Sequence, residues 1–165
     1  MMDVRQATTE DAGQIVEVMK NAEESGLMLF NPGERNVTAT QFEKVVEAIN
    51  NKNNSAVFVA VEQDRIYGYI IVQGDTPNRI AHRAYIVIGV HSESRGKGVG
   101  TALLSHVEEW AREVGLQRLE LTVITYNDAA YHLYKKMGFE MEGVKRSSLC
   151  IDGRYVDEYY MAKLI

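Results

Sequence analysis

The segment VHSESRGKGVGTALL, Val90–Leu104, decides how the rest of the chain is interpreted. Three glycines and two cations occupy the six residues Arg95–Gly100, between an apolar run and an amphipathic helix pattern. Glycine lets the backbone approach a ligand and adopt dihedral angles that other residues avoid. Free N–H groups at the start of a helix, together with the helix dipole, attract anions. We therefore interpret this loop as a phosphate-binding element, to which Arg95 and Lys97 add positive charge.

Two common phosphate-binding motifs do not fit this loop. A P-loop has four residues between its glycines and then Gly-Lys, whereas Lys97 here lies between glycines. A dinucleotide fingerprint is spaced G-x-G-x-x-G, whereas Gly96, Gly98 and Gly100 give G-x-G-x-G. Taken alone, the loop is also compatible with a glycine-rich turn that binds nothing.

The residues on either side of the loop predict a β-α-β unit. Residues 79–91 are typical of a strand, residues 99–115 have a helical apolar stripe that ends at Gly115, and residues 116–125 are typical of a further strand. A strand, a crossover helix and a strand favour parallel pairing with a right-handed connection. The loop thus lies at the carboxyl end of one parallel strand.

The remaining segments predict a single α/β domain spanning residues 1–165. Helices are expected near residues 8–25, 38–52 and 127–138, and strands near 3–7, 55–63, 65–73, 139–151 and 154–164. Asp152-Gly153 is a strong hairpin signal between the last two strands. We expect a mixed, mostly antiparallel sheet of about seven strands with helices on both faces and one parallel pair.

Composition excludes several classes of function. The net charge of −5 argues against binding nucleic acid through an overall basic surface, and no apolar run is long enough for a membrane span. Cys150 is the single cysteine, so no intrachain disulfide can form, and we expect this residue to pack as a small hydrophobe. The four histidines lack metal-ligand spacing, so no metal is predicted. A cytoplasmic location is expected, because the N-terminal residues do not follow a signal-peptide pattern.

Two motifs resemble a known family. VHSESRGKGVGTALL resembles the acetyl-CoA signature Arg/Gln-x-x-Gly-x-Gly/Ala of the GCN5-related N-acetyltransferases, with Arg95, Gly98 and Gly100 at its defining positions. NDAAYHLYKKMGF, residues 127–139, resembles a second block of that family. The predicted order of elements is also similar over nearly the whole chain, and the C-terminal residues look like the bacterial branch that acts on free amino acids.

The resemblance implies an acetyl-CoA-dependent enzyme that acts by direct transfer to a primary amine. It implies that the two parallel strands splay apart around the cofactor arm and that Tyr134 is the general acid, since its phenol is protonated at neutral pH. A packed core aromatic is the alternative for Tyr134, and a simple helix cap for Asn127. The implied cofactor contacts are Ile88, Gly89, Val90, Arg95, Gly96, Lys97, Gly98, Val99, Gly100, Thr101, Asn127 and Tyr134.

The general base is left open by the sequence. Many relatives carry a glutamate on the strand before the loop, but residues 83–90 contain no carboxylate. Glu120 on the next strand is the leading candidate. His82, His91 and a water near Tyr126 or Asp128 are the others, and a water chain without one essential base is an equal alternative.

The acceptor is also open. Leu27, Met28, Leu29 and Phe30 are consecutive apolar residues between turn signals, and they need burial either on the sheet, as an extension of the first helix, or as walls of the acceptor site. In the second reading Leu27, Met28 and Phe30 bind substrate, and apolar amino acids are better acceptors than spermidine. The alternatives for the whole protein are a protein N-terminus or lysine as the acceptor, or a non-catalytic acyl-CoA-binding module. The resemblance also suggests a homodimer.

Overall fold

The computed structural model describes residues 2–165, and its helices and strands follow the predicted order. Two single 3₁₀ turns, Thr9–Asp11 and Ser92–Ser94, precede the first and third helices. The elements are β1 (Asp3–Gln6), α1 (Ala12–Glu23), α2 (Ala39–Asn50), β2 (Ala56–Glu62), β3 (Arg65–Gly74), β4 (Arg83–Val90), α3 (Val99–Glu113), β5 (Arg118–Ile124), α4 (Asp128–Lys136), β6 (Glu140–Ile151) and β7 (Arg154–Leu164).

The seven strands form one sheet in the order β1-β2-β3-β4-β5-β7-β6. Every neighbouring pair is antiparallel except β4 and β5, which are parallel, as predicted. The parallel ladder is short, since it joins residues 83–85 of β4 to residues 118–120 of β5 and then stops. Both strands continue beyond that point, β4 to Val90 and β5 to Ile124.

Alternating side chains of the sheet build two separate cores, one on each face. Phe58 of β2 packs on the face covered by α3 and α4, whereas its neighbours Val57 and Val59 pack on the face covered by α1 and α2. This alternation is the period of two expected for a strand buried on both sides. The predicted placement of helices on both faces is therefore confirmed.

Local capping explains where several elements begin and end. Thr38 Oγ1 accepts a hydrogen bond from the Gln41 amide at 3.1 Å in a capping box, which fixes the start of α2. Asn127 Oδ1 accepts from the Ala130 amide at 3.3 Å and fixes the start of α4. The β6–β7 turn at Asp152 has a positive φ, as the Asp-Gly signal predicts.

The structure corrects two expectations about individual segments. The strand predicted over residues 79–91 begins only at Arg83, because the Ile80 amide donates to the Pro77 carbonyl and forms a turn before it. The expectation that Cys150 packs as a small hydrophobe is wrong, because Cys150 is exposed. It lies on β6, which is an edge strand and has a neighbour on one side only.

Candidate active site

The segment His91–Gly100 links β4 to α3 and takes a tightly fixed path. His91 Nδ1 accepts from the Glu93 amide at 3.2 Å and caps the 3₁₀ turn that opens the segment. Gly96 and Gly98 follow with φ of 74° and 81°, a region that residues with a side chain rarely adopt. The two glycines are thus required by the backbone itself, as the sequence predicted.

The end of this segment presents unpaired donors and positive charge. Gly98 is the N-cap of α3, and the first helical hydrogen bond runs from the Ala102 amide to its carbonyl at 3.0 Å. The amides of Val99–Thr101 therefore have no acceptor within the helix. Arg95 and Lys97 are exposed, and neither forms an ion pair with any residue in the range 2–165. This arrangement fits a phosphate or pyrophosphate group.

Two other glycines near the site are required for packing. A Cβ atom at Gly100 would lie 2.7 Å from the side chain of Leu133, so this glycine lets α3 approach α4. A Cβ atom at Gly89 would lie 2.4 Å from the ring of Tyr69. The β3–β4 register runs through Gly89 without a shift, so the close neighbour is an aromatic ring and the strand has no bulge there.

Beyond their short ladder, β4 and β5 leave a gap between them. Residues 86–90 of β4 pair with β3 on one side and have no strand partner on the side of β5. Residues 121–124 of β5 pair with β7 on the far side only. We call the space between these two stretches the strand gap. Its backbone edge on β4 can pair with an extended chain that carries amide groups, in the manner of an added strand.

Tyr134 of α4 lies in the core on the α3 side of the sheet. It is 7% exposed, and its ring centroid is 5.9 Å from that of Phe139. Burial raises the pKa of the Tyr134 phenol well above its usual value, and the nearby phenol of Tyr85 raises it further. Tyr134 is therefore a protonated donor throughout the neutral range.

Tyr85 is a site residue that the sequence analysis missed. It is the last residue of β4 paired with β5, and its hydroxyl lies 2.7 Å from Oγ1 of Thr122 on β5. Because its neighbours Ala84 and Ile86 belong to the core on the α3 side, Tyr85 points to the opposite face. Its influence on Tyr134 thus acts across the sheet at the strand gap. Only long-range pairing brings these residues together, so no local pattern signals them.

Glu120 lies beside Tyr85 in the parallel register. Its Oε2 accepts from Nε of Arg118 at 2.6 Å, and the same guanidinium also holds Glu142. The carboxylate is therefore at the closed end of the strand gap, but it is already engaged in an ion pair.

The other base candidates are distributed around the strand gap. His82 is exposed just before β4, and the ring of His91 caps the 3₁₀ turn. Tyr126 is exposed after β5, and Asp128 lies in the first turn of α4. The geometry favours none of them over a water chain.

The apolar loop predicted to wall the acceptor site lies over the tip of the last hairpin. Leu27, Met28 and Phe30 are half-buried, whereas Leu29 is 74% exposed, so the expectation that all four residues are buried is wrong. The loop does not extend α1, which ends at Glu23. A cavity of about 410 Å³ lies between residues 26–34 of the loop and residues 149–152 of the hairpin. This volume can hold a small amine.

A buried ion pair under that loop was also missed. Glu23 is 2% exposed and accepts a short hydrogen bond from the guanidinium of Arg35, whose carbon lies 4.4 Å from the centroid of the Phe30 ring. A signal for it exists in the sequence, because Glu23 falls four residues after Met19 on the apolar stripe of α1. A charge at such a position needs a partner.

Neither a metal site nor a membrane span is found in the part of the chain that the structure describes. No group of three potential ligands comes together within residues 2–165. The helices over the same residues are too short or too polar to cross a bilayer.

Comparison with known proteins agrees with this geometry. The sequence profile of the acetyltransferase (GNAT) family matches residues 24–139, which is well over half of the chain. The chain belongs to the GNAT family of acetyltransferases. This membership confirms the family resemblance seen in the two motifs, and it makes the chain an N-acetyltransferase by family.

Two curated relatives of this GNAT chain come from bacteria. An L-amino acid N-acetyltransferase of Escherichia coli is 36% identical over 110 residues, which cover 64% of this chain and 66% of the relative. An uncharacterised N-acetyltransferase of Bacillus subtilis is 30% identical over 141 residues, which cover 76% of this chain and 89% of the relative.

Solved structures of GNAT proteins share the whole fold. A GNAT acetyltransferase from Streptococcus pneumoniae superposes with a TM-score of 0.92 at 28% identity, covering 100% of this chain and 99% of that one. A putative acetyltransferase from Salmonella typhimurium, solved with acetyl-CoA, superposes with a TM-score of 0.89 at 23% identity, covering 99% of this chain and 93% of that one. The predicted seven-stranded α/β architecture is thereby confirmed.

Proposed function

We propose that this protein transfers an acetyl group from acetyl-CoA to the primary amine of a small molecule, with an amino acid of apolar side chain as the preferred acceptor. One observation carries the proposal. The edge of β4 at the strand gap is unpaired, and β4 leads directly into a helix start with free amides and two exposed cations. The GNAT family membership of the chain supports this reading.

The donor side of the site fits acetyl-CoA, which supplies an activated acetyl thioester when bound. Exposed Arg95 and Lys97, with the free amides of Val99–Thr101, would bind the pyrophosphate. The unpaired edge of Ile88–Val90 would hydrogen-bond the amide groups of the pantetheine arm. Of the other predicted contacts, Gly96 and Gly98 shape the loop, Gly89 and Gly100 permit the packing around it, and Asn127 starts α4.

Two proton transfers are needed for the reaction. Tyr134 would donate its proton to the departing thiolate, because its phenol is protonated at neutral pH. The acceptor ammonium must lose a proton before its nitrogen can attack. We propose Glu120 for that step, with a water chain as the alternative, because Arg118 holds the carboxylate in an ion pair.

The acceptor side favours a small molecule. The cavity of about 410 Å³ is walled in part by Met28 and Phe30, and Leu27 lies beside it in the same loop. These apolar side chains favour an apolar group on the acceptor, since burying a group of that kind contributes about 1.5–3 kcal/mol, while Asn31, Glu34 and Asp152 supply a polar part of the lining. The name of the Escherichia coli relative, an L-amino acid N-acetyltransferase, supports this choice.

Release of CoA thiol from acetyl-CoA tests the proposal. We expect methionine and phenylalanine to drive thiol release with a higher kcat/KM than spermidine or a peptide amino terminus. Preference for the peptide would indicate a protein-modifying enzyme. Tight acetyl-CoA binding without thiol release for any amine would indicate a binding module. A homodimer and a cytoplasmic location, both expected from the sequence, stay predictions.

A further inference from the structure

Three side chains form a polar cluster beneath the acceptor loop, and the proposed acetyl transfer does not use them. Glu23 is the last residue of α1, Arg35 lies in the loop before α2, and Tyr69 lies in the middle of β3. Glu23 and Tyr69 are almost completely buried, whereas the side chain of Arg35 is 27% exposed. The Arg35 side chain is therefore the part of this cluster that reaches the protein surface.

The guanidinium of Arg35 has donors to spare. Glu23 accepts from Nη2, the hydroxyl of Tyr69 is a further hydrogen-bond partner, and the ring of Phe30 covers one face of the guanidinium. Nε of Arg35 is buried and donates to nothing, and it is the one buried side-chain nitrogen or oxygen without a partner within residues 2–165. A buried donor without an acceptor is costly, so this atom calls for an acceptor that a ligand can supply.

One member of the cluster, Tyr69, contacts strand β4. The ring of Tyr69 lies directly on Gly89 of β4, within the stretch proposed to bind the pantetheine arm. Burial raises the pKa of Tyr69 to about 12, with Arg35 acting in the opposite direction and Glu23 in the same direction. Tyr69 is therefore a neutral phenol that separates Arg35 from the strand edge.

We propose that Arg35 binds the carboxylate of the acceptor amino acid through its free N–H groups. This inference rests on the proposed function, since it assigns the substrate class of that same site. Glu23 accepts a hydrogen bond from the guanidinium and the Phe30 ring packs on one of its faces. These two contacts fix the orientation of the edge that carries Nε. A carboxylate on that edge would give Nε the acceptor that it lacks.

The chemistry of the cluster favours a carboxylate over a cation. Every free group on Arg35 is a donor, and a guanidinium matches the two oxygens of a carboxylate in plane. The carboxylate of Glu23 is already used by Arg35, so the cluster itself offers no free anion to an ammonium, whereas Glu34 and Asp152 line the cavity. Arg35 therefore distinguishes an amino acid from the corresponding amide.

The test compares ligands that differ only in the carboxylate. We would measure kcat/KM for methionine and methionine amide, each expressed per neutral amine. N-Acetylmethionine and its amide, which lack a titrating amine, would also be titrated into the CoA-loaded protein by calorimetry. We expect the carboxylate ligands to be favoured by about 10- to 100-fold, the effect expected of a charge-assisted hydrogen bond.

Variants assign the effect to Arg35. Arg35→Gln should lower the values for the carboxylate ligands to those of the amides and leave the amides unchanged. Arg35→Gln alone leaves the buried carboxylate of Glu23 without a partner. The double variant Glu23→Gln/Arg35→Gln removes both charges and so tests the loss of Arg35 without a buried unpaired charge. Arg79→Gln, which changes an exposed arginine in the turn before β4, should keep the full preference.

The outcomes separate this inference from the proposed function. Equal values for acid and amide in the unaltered protein, or an unchanged preference in the double variant, overturn the role of Arg35 while thiol release upholds acetyl transfer. Preferential binding of N-acetylmethionine without thiol release from methionine supports Arg35 and overturns the transfer reaction. Spermidine as the better acceptor overturns the inference, because it points to recognition of a cation.

Discussion

The hydroxyl oxygen atoms of Tyr85 and Thr122 lie 2.7 Å apart across the point where β4 and β5 separate. Tyr85 is the last residue of the parallel ladder on β4, and Thr122 lies two residues past the end of that ladder on β5. The hydrogen bond thus continues the connection between the strands through side chains after the backbone pairing has stopped. It fixes the width of the strand gap at its closed end.

We predict that removing either hydroxyl lowers kcat by a similar, modest factor. A net hydrogen bond contributes about 0.5–1.5 kcal/mol, which corresponds to a 2- to 12-fold change. Tyr85→Phe and Thr122→Val should each show this loss, and the double variant should lose no more than one of them. Losses that add in the double variant would mean that the two hydroxyls act separately.

Tyr134→Phe removes the proposed proton donor and keeps the packed ring. We expect kcat to fall by about 10²–10⁴-fold, with little change in the dissociation constant for acetyl-CoA. Because the pKa of Tyr134 is raised, the unaltered protein should lose no activity on the alkaline side up to about pH 10 through deprotonation of this group. Tyr155→Phe, at an exposed tyrosine of the last hairpin, is the matched control. A turnover number unchanged by Tyr134→Phe would assign this residue to core packing.

Gly98→Val tests the anion-binding loop against a matched glycine. Gly98 and Gly115 have φ of 81° and 88°, so valine is strained at both positions, but only Gly98 lies at the start of α3. Both variants should lose stability in thermal unfolding. Calorimetry should show weaker acetyl-CoA binding for Gly98→Val alone, and Arg95→Ala should show a smaller decrease in affinity. Equal affinities in the two glycine variants would exclude the loop as the phosphate site.

The pH dependence of the rate tests Glu120. The rate should rise between about pH 6 and pH 9 as the acceptor amine or its base loses a proton. If Glu120 is the base, Glu120→Gln should flatten the lower limb of this profile. Glu142→Gln is the control, because Glu142 binds the same Arg118 but belongs to β6. A profile that is the same in both variants would favour the water chain.

The parts of the fold that the sequence predicts are those that short-range chemistry determines. Gly96 and Gly98 need a left-handed backbone, Asn127 caps a helix, and Asp152 starts a hairpin turn, all within a few residues. Each of these signals is complete in a local window, so the order of the elements follows. The parallel pair then follows from the length of the crossover helix.

The parts that the sequence could not predict depend on contacts between distant segments. Tyr85 meets Thr122 across 37 positions, and no periodicity in either strand marks the pair. The burial expected of Leu29 is wrong, because its side chain lies 74% exposed on the surface of the loop. Glu23 is the exception, since a carboxylate on an apolar helix stripe is visible in the sequence, although its partner Arg35 is not.

The three-residue ladder between β4 and β5 divides the sheet into two blocks of strands. β1–β4 form one block and β5–β7 the other, and α3 is the chain connection between them. A ligand that hydrogen-bonds along the free edge of β4 would supply backbone hydrogen bonds that are missing between β4 and β5. Ligand binding along this edge would therefore raise the free energy of unfolding, so the protein should be most stable when its acyl donor is bound. The backbone amides of residues 86–90 that point into the strand gap, rather than toward β3, would report that state through slowed hydrogen exchange.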